Sequence, residues 1–451
     1  MASATYRVRI GWEPLPSNAF FLNGSQLDGS DVLTSQYSNS LNILTFGFSR
    51  FSEPGPSGLD TPGTDTFAGA FDSLYADVSQ YTKTISSKRG RDGNLNNFLA
   101  GEAVITLNDP TSIFSPLNTT SPLYPNVLPG RSVLIEEIYG GVAYPMFSGF
   151  VRSIEHNPDF KTRETKVYAQ DFFLYLSRVT PTIAATGATT TGAAIRAILT
   201  ELNWTEARYI SLETGDAVPD FSADGTKTAL SLIKELLDVE QGEFYISKGG
   251  VATYKQRASR PQRAVSATLT EIATEATSAT DLENIRNRVT VKDLADTISE
   301  THFDGPSTEN YGFSDFGGIT SPYIVSASQA QNLGQWLVSQ AKDPSPPLRD
   351  LAFTANISAS LFVIARDAEL GDRVTVVDSA LNANSDFYIE GIQTEVGEGL
   401  VKKVAYNLSK VPSNAPLRFG HSRVRDGEYG SPTATVAPYD TVQTTSDVFA
   451  Y

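Results

Sequence analysis

The chain has 451 residues, 40% of them hydrophobic, no cysteine, and a formal net charge of −16 at pH 7. That length suggests roughly three domains at about 150 residues each, and the acidic balance excludes sequence-independent binding to nucleic acid, which needs a basic surface to displace counterions. The lack of cysteine excludes disulfides, zinc–thiolate sites and cysteine nucleophiles. Prominent Thr, Ser, Val and aromatic residues favour a β-rich fold. The start, MASATYRVRI, has no basic segment followed by an apolar run, so no signal peptide is expected. No apolar run approaches the ~18 residues of a membrane span.

In chain order, Tyr6 to Ile10 alternates as a short strand. Residues 12–76 then turn rich in Gly, Pro, Ser and Asp, yet keep Phe20, Phe21, Leu41, Ile43, Phe46, Phe48 and Phe51. So many apolar side chains predict an inserted excursion that docks rather than a solvated loop. Strand patterning resumes at Asp77 to Ser87 and again at Gly101 to Leu107, where Asn108-Asp109-Pro110 stops it. Pro110, Pro116, Pro122, Pro125 and Pro129 rule out a helix between this strand and Gly130, and Ile113, Phe114, Leu117, Leu123, Tyr124 and Val127 predict an ordered arm that packs on the barrel or reaches a neighbouring subunit. A strand from Gly130-Arg131 to Ile138, a turn at Gly140-Gly141, strands over Tyr144–Ile154 and Thr162–Ala169, and a turn at Asn157-Pro158-Asp159 complete a small barrel. Asp171 caps a short helix, Phe172 to Val179, that closes it.

The next region differs in character. Helices are predicted over Gly192–Asn203 and Thr226–Val239, the second with Leu230, Ile233, Leu236 and Leu237 at helical spacing. Strands at Glu243–Ser247 and Val251–Lys255 flank Lys248-Gly249-Gly250 as a hairpin, giving a compact α+β domain. A third region opens at Asn284–Lys292. Ser326 to Gln329 has capping-box spacing ahead of a helix carrying Ala330, Leu333, Leu337 and Ala341 on one face, ended by Lys342-Asp343-Pro344. Strands follow around Leu351–Ile357, Asp372–Val377, Asp386–Glu395 and Val401–Leu408, and beyond Val411 the chain is polar and proline-dotted. The expected domains are thus 1–179 with the excursion 12–76, 180–282, 283–411 and an extended tail 412–451.

The first and third regions resemble each other. Gly130-Arg-Ser-Val-Leu-Ile135 parallels Gly371-Asp-Arg-Val-Thr-Val376, Phe147-Ser-Gly-Phe-Val151 parallels Ile389-Glu-Gly-Ile-Gln393, and Lys166–Ala169 parallels Lys403–Tyr406. Nearly the same spacing separates Gly130 from Gly149 as Gly371 from Gly391. The fold class expected is therefore α+β and β-rich, with two related antiparallel β-barrel domains, a small α+β domain and peripheral extensions. Two related barrels per chain would let three copies form a ring of six similar units.

Patterns for catalysis are weak. His156, His302 and His421 stand in unlike contexts without metal-ligand spacing. Asn382 to Asp386 imitates the start of a calcium loop, but Phe387 replaces the required glycine and Gln393 the final glutamate. Lys88-Arg89-Gly90-Arg91 is basic enough to meet a phosphate, although a structural or inter-subunit role suits three charges in an acidic chain. Asp367 and Glu369 are a carboxylate pair of the kind glycosidases use, but two acids in a connection are common. No cofactor and no metal site are expected.

The run Arg89-Gly90-Arg91, Leu95, Phe98, Gly101, Ile105-Thr106-Leu107-Asn108, Phe114-Ser-Pro-Leu-Asn118, Ser121-Pro122, Tyr124, Asn126 and Pro129-Gly130-Arg131 resembles the minor tail proteins of long-tailed bacteriophages. These are similar to the baseplate-hub, or tail-tip hub, family. Phe147-Ser-Gly149, Tyr168-Ala-Gln-Asp171, Gly371-Asp-Arg-Val374 and Phe387-Tyr-Ile-Glu-Gly391 also suit that family, and the resemblance spans roughly Asp77 to Val411. It implies a non-enzymatic virion protein of the tail tip, assembled in the bacterial cytoplasm. It also implies a pseudo-sixfold homotrimer joining a tail-tube or distal tail protein to a tip, fibre or spike protein. The tape-measure protein and then DNA would pass through its channel without specific binding, which an acidic wall suits. On this reading Phe114, Leu117, Tyr124, Arg131, Val133, Gly149, Gly371, Val374 and Gly391 serve assembly. The alternatives are a receptor- or carbohydrate-binding tail protein and, less favoured, a tail-borne cell-wall hydrolase.

Overall fold

The computed structural model describes residues 4–12, 75–91, 98–157, 163–202, 204, 209–270, 275–277, 285–342, 348–379 and 383–411. The expected excursion over 12–76 and the tail over 412–451 lie, but for residues 12, 75 and 76, outside the described residues, as do Leu95, His421, Pro158-Asp159 and Asp343-Pro344.

Seven strands build the first region: β1 (Thr5–Ile10), β2 (Ala76–Asp77), β3 (Thr82–Gly90), β4 (Leu99–Asn108), β5 (Ser132–Tyr139), β6 (Val142–Asn157) and β7 (Glu164–Gln170). Their order in the sheet is β3-β4-β7-β6-β5-β1-β2. Alternation places Ile85, Ala103, Ile105, Leu107, Val133, Ile135, Phe147, Val151, Val167 and Ala169 inside one core with Val8, Ile10 and Trp12. The sheet curls until β1 and the start of β3 are bridged by residues 76–81, where Val78 donates to the Val8 carbonyl and Ser79 Oγ accepts from the Val8 amide.

The arm between β4 and β5 is ordered by its own backbone. Ser112, Ser115, Asn118, Ser121 and Tyr124 each donate to the carbonyl three residues earlier, so proline-rich sequence winds as successive turns instead of a helix. Buried Asp109 starts the spiral by accepting from the Ile113 and Phe114 amides and from Thr165 Oγ1. Phe114 is 1% exposed and packs against Trp12 and Tyr81, with ring centroids 5.8 and 5.2 Å away. Leu123 and Val127 join the same core.

A one-turn helix α1 (Phe173–Leu176) leads into the middle region. That region holds the two-residue strands β8 (Thr182–Ile183) and β9 (Thr189–Thr190), helix α2 (Thr191–Glu201), β10 (Ile210–Leu212), and the two-residue strands β11 (Ala217–Val218) and β12 (Ala223–Asp224). Helix α3 (Ala229–Glu240) and the hairpin β13 (Glu243–Ile246) and β14 (Ala252–Lys255) complete it. The predicted helices and hairpin are present, and Thr190 and Thr228 supply the helix caps.

The chain then enters the second large region through β15 (Val265–Thr270) and β16 (Glu275–Thr277). A smaller unit intervenes, with sheet order β18-β17-β19 made from β17 (Arg288–Asp293), β18 (Ser299–Phe303) and β19 (Asp315–Ser321), plus α4 (Gly305–Tyr311) and α5 (Ala327–Ala341). The Ser326 cap of α5 forms, with Ser326 Oγ accepting from the Gln329 amide, while the return bond falls one residue earlier than in a capping box, Gln329 Oε1 accepting from the amide of Val325. The large sheet resumes with β20 (Asp350–Thr354), is interrupted by α6 (Ala359–Asp367), and ends in β21 (Arg373–Asp378), β22 (Ala383–Val396) and β23 (Lys402–Lys410).

The β-rich α+β class is the one expected. The two expected barrels, however, are not closed as separate bodies among the described residues. Strands of both regions hydrogen-bond into one 13-stranded sheet, because β22 is long enough to pair with β21 over its first half and with β3 over Gly391–Val396. The duplication is real at the level of topology. The strand order β1-β5-β6-β7-β4-β3 recurs as β15-β21-β22-β23-β20-β16, although β1 is antiparallel to β5 and β15 parallel to β21.

No helix among the described residues is long and apolar enough to cross a membrane. Phe114→Ala should cost about 3–5 kcal/mol of stability, whereas Leu117→Ala, on the same arm but 88% exposed, should change it by less than about 0.5 kcal/mol. Denaturant unfolding of the two variants checks this; equal losses would mean that the arm is not anchored through Phe114.

Candidate assembly site

Glycine fixes where the two halves of the large sheet meet. Gly90, at the end of β3, has φ +113°, and a Cβ there would lie 2.2 Å from the Glu390 carbonyl oxygen and 2.5 Å from the Gly391 Cα. Only glycine permits that approach. Glu390 is a bulge residue in β22, skipped in the register between β22 and β23. It marks the point where β22 leaves β21 and takes up β3.

The bulge turns Glu390 inward, and its side chain is 0% exposed. Arg91 Nε donates to Glu390 Oε2 at 2.7 Å, while Arg260 and Ser409 both hydrogen-bond to Oε1. Arg260 also donates to Glu243 Oε1 at 2.6 Å, and Arg263 pairs with Glu243 Oε2 at 2.6 Å. Arg91 thus comes from the end of β3 in the first half of the sheet, Glu243 from the middle hairpin, Arg260 and Arg263 from its exit, and Glu390 from β22 in the second half. Phe98 and Tyr388 cover the Arg91 and Arg260 guanidiniums at 4.5 and 4.4 Å.

Burial opposes ionisation of Glu243, but Arg260, Arg263 and Arg91 outweigh it and bring its carboxyl down to about 2. Burial likewise opposes ionisation of Glu390, and Arg260 and Arg91 hold it below the ordinary carboxylate range. Alongside, Arg89 donates to Glu369 at 2.7 Å, and Lys248 Nζ donates to the Arg366, Asp367 and Ala368 carbonyls that end α6. A buried pair of Lys402 with Glu137 and the stacking of Tyr139 on Phe362 join the regions a second time.

The basic cluster Lys88-Arg89-Gly90-Arg91 is therefore structural at Arg89 and Arg91, and Glu369 is consumed by an ion pair. His156 binds Thr165 Oγ1 at 2.8 Å beside Asp109. At the end of the first barrel, Asp171 accepts from the Gly101 and Phe173 amides, and burial pushes its carboxyl up to about 7.

The residues singled out in sequence fall into two groups. Phe114, Val133 and Val374 are core, and buried Arg131 donates to Asn126 Oδ1. Gly149 lies where a Cβ would meet the Gln170 carbonyl at 2.4 Å, Gly371 has φ +76°, and Gly391 adjoins the Arg91 carbonyl. Leu117 and Tyr124 are exposed, at 88% and 45%, with Leu128 beside them in sequence. The matched glycines are not equivalent in space: Gly149 faces Val133 of β5, while Gly391 lies beyond the part of β22 that pairs with β21. What repeats is the bulge, at Arg152 between β6 and β7 and at Glu390 between β22 and β23.

This fold is shared with solved tail proteins. It is similar to the tail protein from Neisseria meningitidis MC58, with a TM-score of 0.54, 11% identity, and coverage of 76% of this chain and 94% of that one. It is equally similar to the 43 kDa tail protein of prophage MuSo2 from Shewanella oneidensis, with a TM-score of 0.54, 12% identity, and coverage of 76% and 97%. No protein-family model and no curated protein matches the sequence.

At neutral pH, Glu243→Gln leaves three guanidiniums facing one carboxylate and should cost about 3–5 kcal/mol. In the native protein, Glu243 contributes stability that is fully present above about pH 4.5 and lost as pH falls towards 2. Denaturant midpoints measured from pH 6 to pH 2 should therefore fall less steeply for the variant. Identical slopes would remove the assigned role of Glu243.

Proposed function

We propose that the chain is a structural, non-enzymatic hub of a bacteriophage tail tip or baseplate. Three copies form a pseudo-sixfold ring around a channel, between a tail-tube or distal tail protein and a tip, fibre or spike protein. The observation that carries this reading is the repeated strand order: it occurs twice in one chain, and the two copies are joined edge to edge in one sheet. Two fixed copies per subunit present sixfold-like contacts on one face of a threefold assembly, which is the geometric requirement for joining rings of those symmetries. The fold shared with two solved tail proteins supports a place in a virion tail.

The net charge of −16 suits a channel wall that does not retain DNA or the tape-measure protein before it. Leu117, Tyr124 and Leu128 offer an apolar surface for a neighbouring subunit or tail protein. Electron microscopy of the purified protein and of the particle should show a threefold ring with a central hole on the tail axis. A compact monomer away from that axis would contradict the hub.

A further inference from the structure

Helix α5 covers one face of the small β18-β17-β19 sheet and leaves the other to solvent. Alternation along β17 sends Val289 and Val291 into the core with Leu333 and Leu337 of α5, and His302 of β18 packs against Gly334 of the same helix. The residues between them, Arg288, Thr290 and Lys292 on β17 with Thr301 and Phe303 on β18, occupy the opposite face. Phe303 lies across from Arg288, and Arg288 across from Asp315 of β19.

This outer face carries two aromatic rings that the fold does not bury. Phe303 and Phe313 are each 60% exposed, although Phe is among the residues most often taken fully into a core. Their ring centroids lie 6.1 Å apart with the planes at 71°, so the two rings form a corner. Its geometry is fixed from below. Arg288 Cζ sits 4.5 Å from the centroid of Phe313, and the guanidinium donates from Nε to Asp315 Oδ1 at 2.5 Å and from Nη2 to Oδ2 at 2.7 Å. In the next row, Thr290 and Thr301 stand opposite each other with their hydroxyl oxygens 3.0 Å apart. Beside Thr290, β19 presents Gly317 and Gly318, both exposed, and a Cβ on Gly317 would meet no atom within 4 Å.

We infer that this face binds an uncharged saccharide, with one hexopyranose ring seated in the Phe303–Phe313 corner. The C–H bonds on one side of a pyranose carry partial positive charge and are drawn to the negative face of an aromatic ring. Its hydroxyls both donate and accept, which suits the Asp315 carboxylate, the Arg288 guanidinium and the two threonine hydroxyls. Charge decides against other ligands. The cations of this face are already paired, Arg288 with Asp315 and Lys292 with Asp296 at 3.0 Å. No surplus positive charge is therefore offered to the phosphates of a single-stranded nucleic acid, whose bases such rings could otherwise stack. A protein contact would set the aromatic pair at the centre of a well-packed apolar patch, whereas here hydroxyls and bare glycine backbone adjoin the rings. The inference goes beyond the hub reading and does not depend on it, since a single copy carries the whole face.

Saturation-transfer NMR of the full-length protein with chitotriose, lactose and maltotriose tests the assignment. At least one of these sugars should receive saturation on the C–H protons of one pyranose face. Phe303→Ala and Phe313→Ala should each abolish that transfer while keeping the denaturant midpoint. Leu294→Ala, which removes a 71% exposed apolar side chain from the β17–β18 connection of the same unit, should leave it intact. Transfer to none of the three sugars, or transfer that both Phe variants retain, would overturn the saccharide site. A single-stranded oligonucleotide bound through the same two rings while no sugar binds would also overturn it, in favour of base stacking. Virions that fail to assemble with either Phe variant while no sugar binds would overturn it in favour of a protein contact.

Discussion

Everything in the molecule depends on the closed set of charges around Glu390. Each ion taken from water into a barrel junction costs several kcal/mol, recovered only if its partners are placed well. Arg91, Arg260 and Ser409 reach Glu390 from three segments that are remote in sequence, while Arg260 and Arg263 extend the set to Glu243. A slip of one residue between β3 and β22 would turn these groups to the other face of the sheet. The network thus specifies a register more than it adds stability, and that register sets the angle between the barrels.

A fixed angle is what the proposed ring would need of its subunit. Were the two halves of the large sheet joined only by the flexible backbone of a linker, their relative angle would vary from copy to copy. The bulge at Glu390, the close approach at Gly90 and the second link through Lys402 and Glu137 remove that freedom. The middle region is held to the same point by Glu243 and Lys248, so it rides on the junction as a third part of one body. The arm contributes differently. Its buried side, with Phe114, Leu123 and Val127, completes the first barrel, and its outer side carries Leu117 and Tyr124 to the surface.

Much of this was legible in sequence because it is local. Alternation located β4, β5 and β7, Ser326 with Gln329 announced the start of α5, and the repeated Gly-x-x-Val segments correctly paired β5 with β21. The arm's order followed from its apolar content, although its winding in three-residue turns did not, since proline excludes a helix without saying what replaces it. Helix α6 leaves little trace in the sequence because it is only nine residues long, capped by Ser358 and set between strands. The division of the residues proposed for assembly was also hidden: Leu117 and Phe114 look alike in sequence, and only the spiral decides which faces the core. The ion network was the least visible. Arg89 and Arg91 read as a small basic cluster because their acidic partners lie 299 positions away in one case and 280 in another. Matching glycines suggested a register that the structure shifts, because the chain from Gly130 to its partner Val151 is longer than the chain from Gly371 to its partner Ile389, so equal glycine spacing matched positions that are not equivalent.

The central claim is that the buried junction makes the two repeated halves of the sheet one cooperative body. Native-state hydrogen exchange of the Ile85–Arg91 and Gly391–Val396 amides tests it most directly. In a single body these amides exchange only through global unfolding, with the same opening free energy as the cores of both barrels. Exchange of the junction at a much lower free energy, with the two cores opening independently, would contradict it.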